Sequence, residues 1–488
     1  MCRLQVLLLC CCLPIFCWSQ QSIPVKGIVF LDKNKNQKYD SGEKAIRNVY
    51  ISNGRDIVKT NSRGAYEIEL LQGEAIFPIL PNGYTLSMEQ DEKVNNSLFF
   101  YPNKDTAISP VLKCDFGLVK EVQPRSFQIG AIGDVQVGDS TELNYAGKSI
   151  FRELASREDL AFHVFLGDLV NDDPELFKPF KRMLQALPTP SWTVLGNHDR
   201  SFDKDSLLYH RYQEVFGSDS YAFNYGGVHF IVLNNVYPTG QRSYEGRVSD
   251  IQLDFLKNTL KTVSHNTQIV VCQHIPLRHT RNRDAILHLL NDFKSTLVLS
   301  GHTHQVGRHF YNNGRVQEII TGAPSGSWWT GEVDHQGIPN ALMQCGSPRN
   351  YFTISFDKES YSIHYKAIGL DTDQQMDMSF VSDTLIANIY GASDSTQVEL
   401  RLNMGPWQSM EHEDRPAPTV LKLIELNKSK RFPASGQRIT PLRRRNSPHI
   451  WQLPTDISPG THIIQIRAFD RFGYSIQTTE TLYVPSLN

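Results

Sequence analysis

The chain is poor in three things, and each shortage removes a class of protein. Cysteine is scarce where it would matter: of eight in 488 residues, Cys2, Cys10, Cys11, Cys12 and Cys17 crowd the first nineteen positions, leaving only Cys114, Cys272 and Cys345. Three widely spaced cysteines give no disulfide framework, so stability must come from hydrophobic cores, and each is read as a buried thiol. Long apolar runs are also missing beyond the N terminus. A membrane-spanning helix needs roughly 20 apolar residues, so no transmembrane segment is expected. Surplus charge is the third absence: 49 Lys and Arg stand against 51 Asp and Glu, a formal −2. A dedicated nucleic-acid binder carries a basic excess, so no nucleic-acid partner is expected and a nuclease is disfavoured. There is no fixed-period repeat and no low-complexity tract, which excludes solenoids and disordered arrays.

What is present divides into four stretches. Residues 1–19 start with Met1-Cys2-Arg3, continue as an apolar run through Trp18 and end at Ser19, the pattern of a secretory signal cleaved before Gln20. Losing Arg3 with it takes the formal balance from −2 to −3. The product is expected to be exported, to the periplasm or outside. Lipidation at Cys17 is disfavoured, because Ile15 and Phe16 are bulky where such sites want small residues. Residues 20–122 alternate apolar and polar positions between Asn-Gly and Pro-Asn-Gly turns, which predicts a β-sandwich. Within it, Asp32, Asn34, Asn36, Asp40 and Glu43 occupy the oxygen-ligand positions of a calcium loop, while Gln37 sits where such loops want Gly. Calcium and a plain polar hairpin are the two readings of that loop.

Residues 123–369 change rhythm. Short apolar runs alternate with helical patterns at 140–159, 174–187, 249–263 and 280–293, the βαβ signature of a layered α/β fold. Residues 370–488 return to strand patterns and predict a second, immunoglobulin-like β-sandwich.

Five segments of the middle stretch put polar residues directly after an apolar strand, where ligands bind in open α/β sheets. They are Gly133-Asp134-Val135-Gln136, Gly167-Asp168-Leu169-Val170-Asn171-Asp172, Gly196-Asn197-His198-Asp199, His274, and Gly301-His302-Thr303-His304. In this order they resemble the calcineurin-like metallophosphoesterase family, whose pattern is Asp-x-His, Gly-Asp, Gly-Asn-His-Asp/Glu, a lone His and Gly-His-x-His. The resemblance spans about residues 127–305, and the flanking stretches look like the β-sandwiches beside this domain in exported bacterial members. It implies an α/β fold: a central β-sandwich layered with helices (αββα), between two small all-β domains.

The resemblance also implies a two-metal centre. One ion would be held by Asp134, Gln136, Asp168 and His304, the other by Asp168, Asn197, His274 and His302, with Asp168 bridging cations roughly 3.5–4 Å apart. Mixed oxygen and imidazole ligands suit Mn, Fe, Zn or Mg. A hydroxide between the metals would attack phosphorus in line, His198 would assist the leaving oxygen, and Asp199 would orient its ring. Gln136 departs from the histidine of most members, and a neutral amide is a harder and weaker ligand that favours Mn or Mg over Zn. Asn171 stands where the purple iron enzymes of the family carry tyrosine, so a tyrosine-ligated iron is not expected.

Other candidates are weighed against plainer roles. Asn197 is also expected near substrate. Trp328 and Trp329 lie in a Gly/Ser/Pro loop, and adjacent residues of a strand point to opposite faces. One is therefore expected to line the substrate cleft, against the reading that both clamp the last domain. Arg349 and Tyr351 are read as parts of a turn, although a phosphate contact is open to them. His163, His229, His279 and His364 are read as ordinary core or surface residues. The basic run Lys428, Lys430, Arg431, Arg438, Arg443, Arg444 and Arg445 is read as a solvated loop.

The expected function is an exported two-metal phosphohydrolase of phosphomonoesters or phosphodiesters. The alternative is an envelope-associated binding protein with a degenerate core. Its substrate would be a small phosphorylated molecule such as a sugar phosphate, nucleotide, phospholipid head group or glycan.

Overall fold

The computed structural model describes residues 23–71, 73–87, 94–102, 111–202, 208–358, 360–429, 438–439 and 441–486. The expected leader at 1–19 and the basic residues Lys430 and Arg431 lie outside them. Among the described residues no helix is long and apolar enough to cross a membrane, and Cys114, Cys272 and Cys345 are buried free thiols.

Two sheets form the middle of the molecule. In the first, strands Ser191–Thr193, Leu160–Phe165 and Ser126–Ile132 run parallel, and Asn350–Asp357 and Ser360–Ala367 continue the sheet antiparallel. In the second, Val228–Val232, Gln268–Cys272, Thr296–Ser300 and Val316–Thr321 are parallel, with antiparallel edge strands Tyr221–Tyr225 and Val306–Tyr311. The parallel strands are nearly uniform apolar runs because both faces are buried. Aromatic contacts pin one sheet to the other: Phe162 meets Phe230 at 5.2 Å and Phe223 at 5.7 Å, and Phe230 meets Phe356 at 5.9 Å. Edge-to-face geometry predominates, as ring quadrupoles prefer.

Helices form where the periodicity predicts them. Asp139 caps Ser140–Ala146 by accepting from the amides of Thr141 and Glu142, and Ser249 caps Asp250–Leu260. Helices Phe177–Gln185 and Arg283–Leu290 complete the four.

Short strands around Ile23–Leu31 form a six-stranded N-terminal sheet, and Tyr50–Ser52 centres a three-stranded one. At the C-terminal side two four-stranded sheets are built on Thr384–Ile389 and Gly460–Phe469, the latter with strict alternation of buried and more exposed positions. Strand patterns alone missed one element there, the helix Pro418–Lys428, whose proline start is a recognisable signal.

These C-terminal sheets are locked to the second central sheet by a buried ion pair. Arg308 Nη1 lies 2.7 Å from Asp470 Oδ2 with both side chains at most 1% exposed. The guanidinium also lies over the rings of Phe310 and Tyr474, and Phe310 stacks on Phe472 at 3.9 Å. Removing one partner strands the other charge in a dry interface. Asp470→Ala is therefore expected to cost about 3–5 kcal/mol by denaturant unfolding, with most of it recovered in Arg308→Met/Asp470→Ala. A loss under about 1 kcal/mol would show that the pair does not hold the interface.

Candidate metal centre

All five polar segments leave the carboxyl ends of central strands. Asp134 and Gln136 follow Ser126–Ile132, Asp168 follows Leu160–Phe165, and Asn197 and His198 follow Ser191–Thr193. From the second sheet, His274 follows Gln268–Cys272, while His302 and His304 follow Thr296–Ser300. The backbone bends sharply to bring them together. Gln136, Asp168, His302 and His304 all have positive φ, between 43° and 70°, a conformation that costs non-glycine residues energy and clusters at functional sites. Gly196 allows a close approach: a Cβ there would lie 2.0 Å from the Asp168 amide nitrogen.

Four side chains aim acceptor atoms at one point. His274 Nε2 lies 3.1 Å from Asn197 Oδ1, 3.3 Å from Asp168 Oδ2 and 3.2 Å from His302 Nδ1. His274 Nδ1 donates to the Leu166 carbonyl at 2.8 Å, which leaves the Nε2 lone pair to face the cluster. Ligand atoms of Asp168, His274 and His302 lie within 4.8 Å of one another, close enough to share a cation. A proton on Nε2 can satisfy only one of these three contacts, whereas a divalent ion would be shared by all four side chains.

Beside this cluster lies a second group. Asp134 is fully buried, its carboxylate accepts the His302 amide at 2.8 and 3.0 Å, and His304 Nε2 lies 3.7 Å from its Oδ1. His304 Nδ1 donates to the Gly326 carbonyl at 2.5 Å, again freeing Nε2. Gln136 is buried, its amide nitrogen donates to Asn171, and its Oε1 has no hydrogen-bond partner. A buried acceptor without a donor is costly, and a cation is the partner that relieves it. The residues therefore fit two metal ions, with Asp168 between the groups: its backbone carbonyl accepts from Gln136 and its Oδ1 from the His198 amide.

The charges are arranged to match. Burial opposes ionisation of Asp168, but the imidazoles of His274 and His198 and the His198 amide outweigh it and hold the carboxyl below its usual range. Burial likewise opposes charge on His274, yet Asp168 raises it to about 9. Burial, then the His274 charge, pushes His302 down to about 3.

Two expectations need correction. Asp199 does not orient His198. Its carboxylate accepts the backbone amides of Leu169, Val170 and Gly196 at 2.8–3.1 Å, and so ties the second loop to the third. The ring partner is Asp172, whose Oδ1 is 3.0 Å from His198 Nδ1. Successive side chains of the tight turn Asn197–Asp199 diverge, so His198 reaches the rim while Asp199 turns inward. Asp172 lies inside the second segment, four residues after Asp168, and sequence alone gave it no role.

Nor does Trp329 line a cleft. It is 2% exposed, and its indole N–H donates to the Val135 carbonyl at 3.0 Å. Trp328 is 40% exposed and stacks on His304 with ring centroids 4.6 Å apart. Arg438 leaves the expected solvated loop to bond the Trp328 carbonyl and Glu142. Tyr244, also missed, stands 6.1 Å from the His302 ring, with the Arg200 guanidinium over its own ring at 4.9 Å. Tyr351 is buried and its hydroxyl accepts from Arg157, as a structural residue would.

The candidate calcium loop is separate. Asp32 accepts the amides of Lys35, Asn36 and Gln37, Asn34 and Asn36 both donate to Asp40 Oδ2, and Glu43 accepts the amides of Lys33 and Asp40. Gln37 takes φ 60°, the turn for which such loops use Gly.

Residues 127–306 match the family model for calcineurin-like phosphoesterase, and residues 318–475 match the model for the C terminal of calcineurin-like phosphoesterase. No curated protein sequence matches. Similar solved structures include a purple acid phosphatase from yellow lupin (Lupinus luteus), 13% identical, covering 66% of this chain and 67% of that one with a TM-score of 0.37. Wild-type Vps29 complexed with zinc from Entamoeba histolytica is 12% identical over 49% of this chain and 91% of its own, TM-score 0.26. A metallophosphoesterase from Sphaerobacter thermophilus is 15% identical over 49% and 88%, TM-score 0.24.

The Asp172 contact has a titration signature. Burial lowers the His198 pKa, but the hydrogen bond that its ring donates to Asp172 and the charge of Asp168 override it and raise it above the usual 6.5. The stabilisation from this pair is thus present in full below pH 6.5 and fades as pH climbs through the raised value. In metal-free protein, Asp172→Asn is expected to lower the His198 midpoint seen by NMR of the ring, and Asp199→Asn to leave it in place. The opposite pattern would restore Asp199 as the orienting group.

Proposed function

This chain belongs to the calcineurin-like phosphoesterases and is a metal-dependent phosphoesterase, and from that premise we propose that it is an exported two-metal hydrolase of small phosphomonoesters or phosphodiesters. The convergence of Asp168, Asn197, His274 and His302 on one point carries the proposal. Asp134, Gln136, Asp168 and His304 would hold the first ion and Asp168, Asn197, His274 and His302 the second, drawn from Mn, Fe, Zn or Mg. When bound, the ions would neutralise charge on the phosphoryl group and acidify the attacking water.

The chain's own residues do the rest. His198 is partly exposed at the rim and held by Asp172, so its ring can offer a proton or hydrogen bond to the leaving oxygen. Trp328 and Tyr244 flank the histidines and supply aromatic faces for the organic part of the ester. A sugar ring or a nucleobase would stack on such a face, and the cation of a lipid head group would sit over it. The neutral Gln136 leaves the first site one imidazole short and tilts it toward harder ions.

Export is supported by the apolar leader at 1–19, cleaved before Gln20. Three units are proposed for the mature chain: a β-sandwich at 20–122, the catalytic part at 123–369 and an immunoglobulin-like β-sandwich at 370–488. Calcium in the loop Asp32, Asn34, Asn36, Asp40 and Glu43 would add stability to the first of these.

The test is hydrolysis of a nitrophenyl monoester and diester by metal-stripped protein resupplied separately with Mn, Zn, Fe, Mg or Ca. At least one transition metal or Mg is expected to restore turnover, and Ca to raise the melting temperature without doing so. His198→Ala is expected to lower kcat about 10²–10⁴-fold, and Asp168→Asn to abolish metal-restored activity. Turnover surviving both substitutions would remove the proposal.

A further inference from the structure

A buried guanidinium nitrogen without an acceptor is a charge that folding normally avoids. Arg349 is 8% exposed, yet its Nη1 has no hydrogen-bond acceptor among the described residues. Five N–H donors in a dry setting are normally met by carboxylate or phosphate oxygens. Here the guanidinium rests over the Trp329 ring at 5.4 Å, and that contact supplies no acceptor. The charge is uncomfortable there: burial pushes the Arg349 pKa down to about 10, with Asp334 and Glu153 pulling partly the other way.

Both acids are already engaged. Glu153 Oε1 pairs with Lys366 at 2.7 Å and its Oε2 accepts the Gly369 amide. Asp334 Oδ1 accepts the amides of Gln336 and Ile338. Arg349 lines a cleft of about 590 Å³ that also receives Lys148 and Arg152. Lys148 is exposed, and Arg152 makes a single weak hydrogen bond, 3.3 Å to Gln336 Oε1. With Glu153 neutralised by Lys366, three cations share the cleft with one remaining carboxylate, Asp334, which is bonded to its own loop.

We propose that this cleft is a second anion site, in which Arg349, assisted by Lys148 and Arg152, binds a phosphate-type oxyanion. The ligand's oxygens supply the acceptors that the protein withholds, and a bidentate guanidinium contact matches their geometry. The site does not rest on the catalytic assignment, but it touches the same loops. The ring beneath Arg349 is bonded to the carbonyl of Val135, between Asp134 and Gln136. The Arg349 stem also packs on Gly326, where an added Cβ would lie 3.0 Å from Arg349 Cγ, and the Gly326 carbonyl holds His304.

The experiment is calorimetric titration of metal-loaded protein with inorganic phosphate and, separately, with phenylphosphonate, which cannot be hydrolysed. Wild type, Arg349→Met, Lys148→Ala/Arg152→Ala and Asp168→Asn are compared. A binding event that persists in Asp168→Asn is expected, weakened about tenfold or more by Arg349→Met and about threefold or more by the double variant. The double variant should keep wild-type hydrolysis in phosphate-free buffer. Tighter binding of phenylphosphonate would identify a phosphoryl group carried on a larger molecule, and equal binding the free anion. Should Arg349→Met fail to fold, the surface double variant decides alone. Isotherms identical in wild type and the double variant, or binding lost entirely in Asp168→Asn, would overturn the proposal by assigning all phosphate to the metal centre.

Discussion

Electron-rich atoms held at 3.1 to 3.3 Å from His274 Nε2, on Asp168, Asn197 and His302, repel one another unless positive charge lies among them. The rest of the central architecture serves that arrangement. The parallel strands of both sheets must end at the same rim so that side chains from five loops can meet. The aromatic bolt of Phe162, Phe223, Phe230 and Phe356 keeps the sheets in register. Left-handed backbone at Gln136, Asp168, His302 and His304 then turns each ligand inward. Strain of this kind persists only where the surroundings fix it, here by the carboxylate of Asp199 and the carbonyls of Leu166 and Gly326.

Polar groups around the cluster fix the direction of its side chains. The carbonyls of Leu166 and Gly326 choose the imidazole nitrogens that face the cluster, and Asp172 holds the ring of His198. Trp329 joins the loop of Asp134 and Gln136 to Arg349 and its cleft, which places an unmatched cation within two contacts of the metal groups. Arg438 bonds the adjacent carbonyl of Trp328, so C-terminal residues help set the one exposed aromatic face beside His304.

Much of this was legible in the sequence because the chemistry is local. Apolar runs ending in Asp, Asn or His mark strand ends, and the structure brings the five segments to one rim. Side-chain direction was not legible. Asp199 and Asp172 are both acids near His198, and only the tight turn at Asn197–Asp199 shows which one faces the ring. Trp328 and Trp329 are likewise indistinguishable in sequence, though one is open and one is sealed. Arg349 read as part of a turn because a missing partner leaves no pattern, and the helix Pro418–Lys428 was lost among strand signals despite its proline.

Elemental analysis combined with anomalous scattering from crystals grown in excess Mn tests the central claim most directly. Two ions per chain are expected, one among Asp168, Asn197, His274 and His302 and one beside Asp134, Gln136 and His304, with no more than one left in Asp168→Asn. A chain that takes up no ion at that rim, or holds its metal elsewhere, would contradict the account.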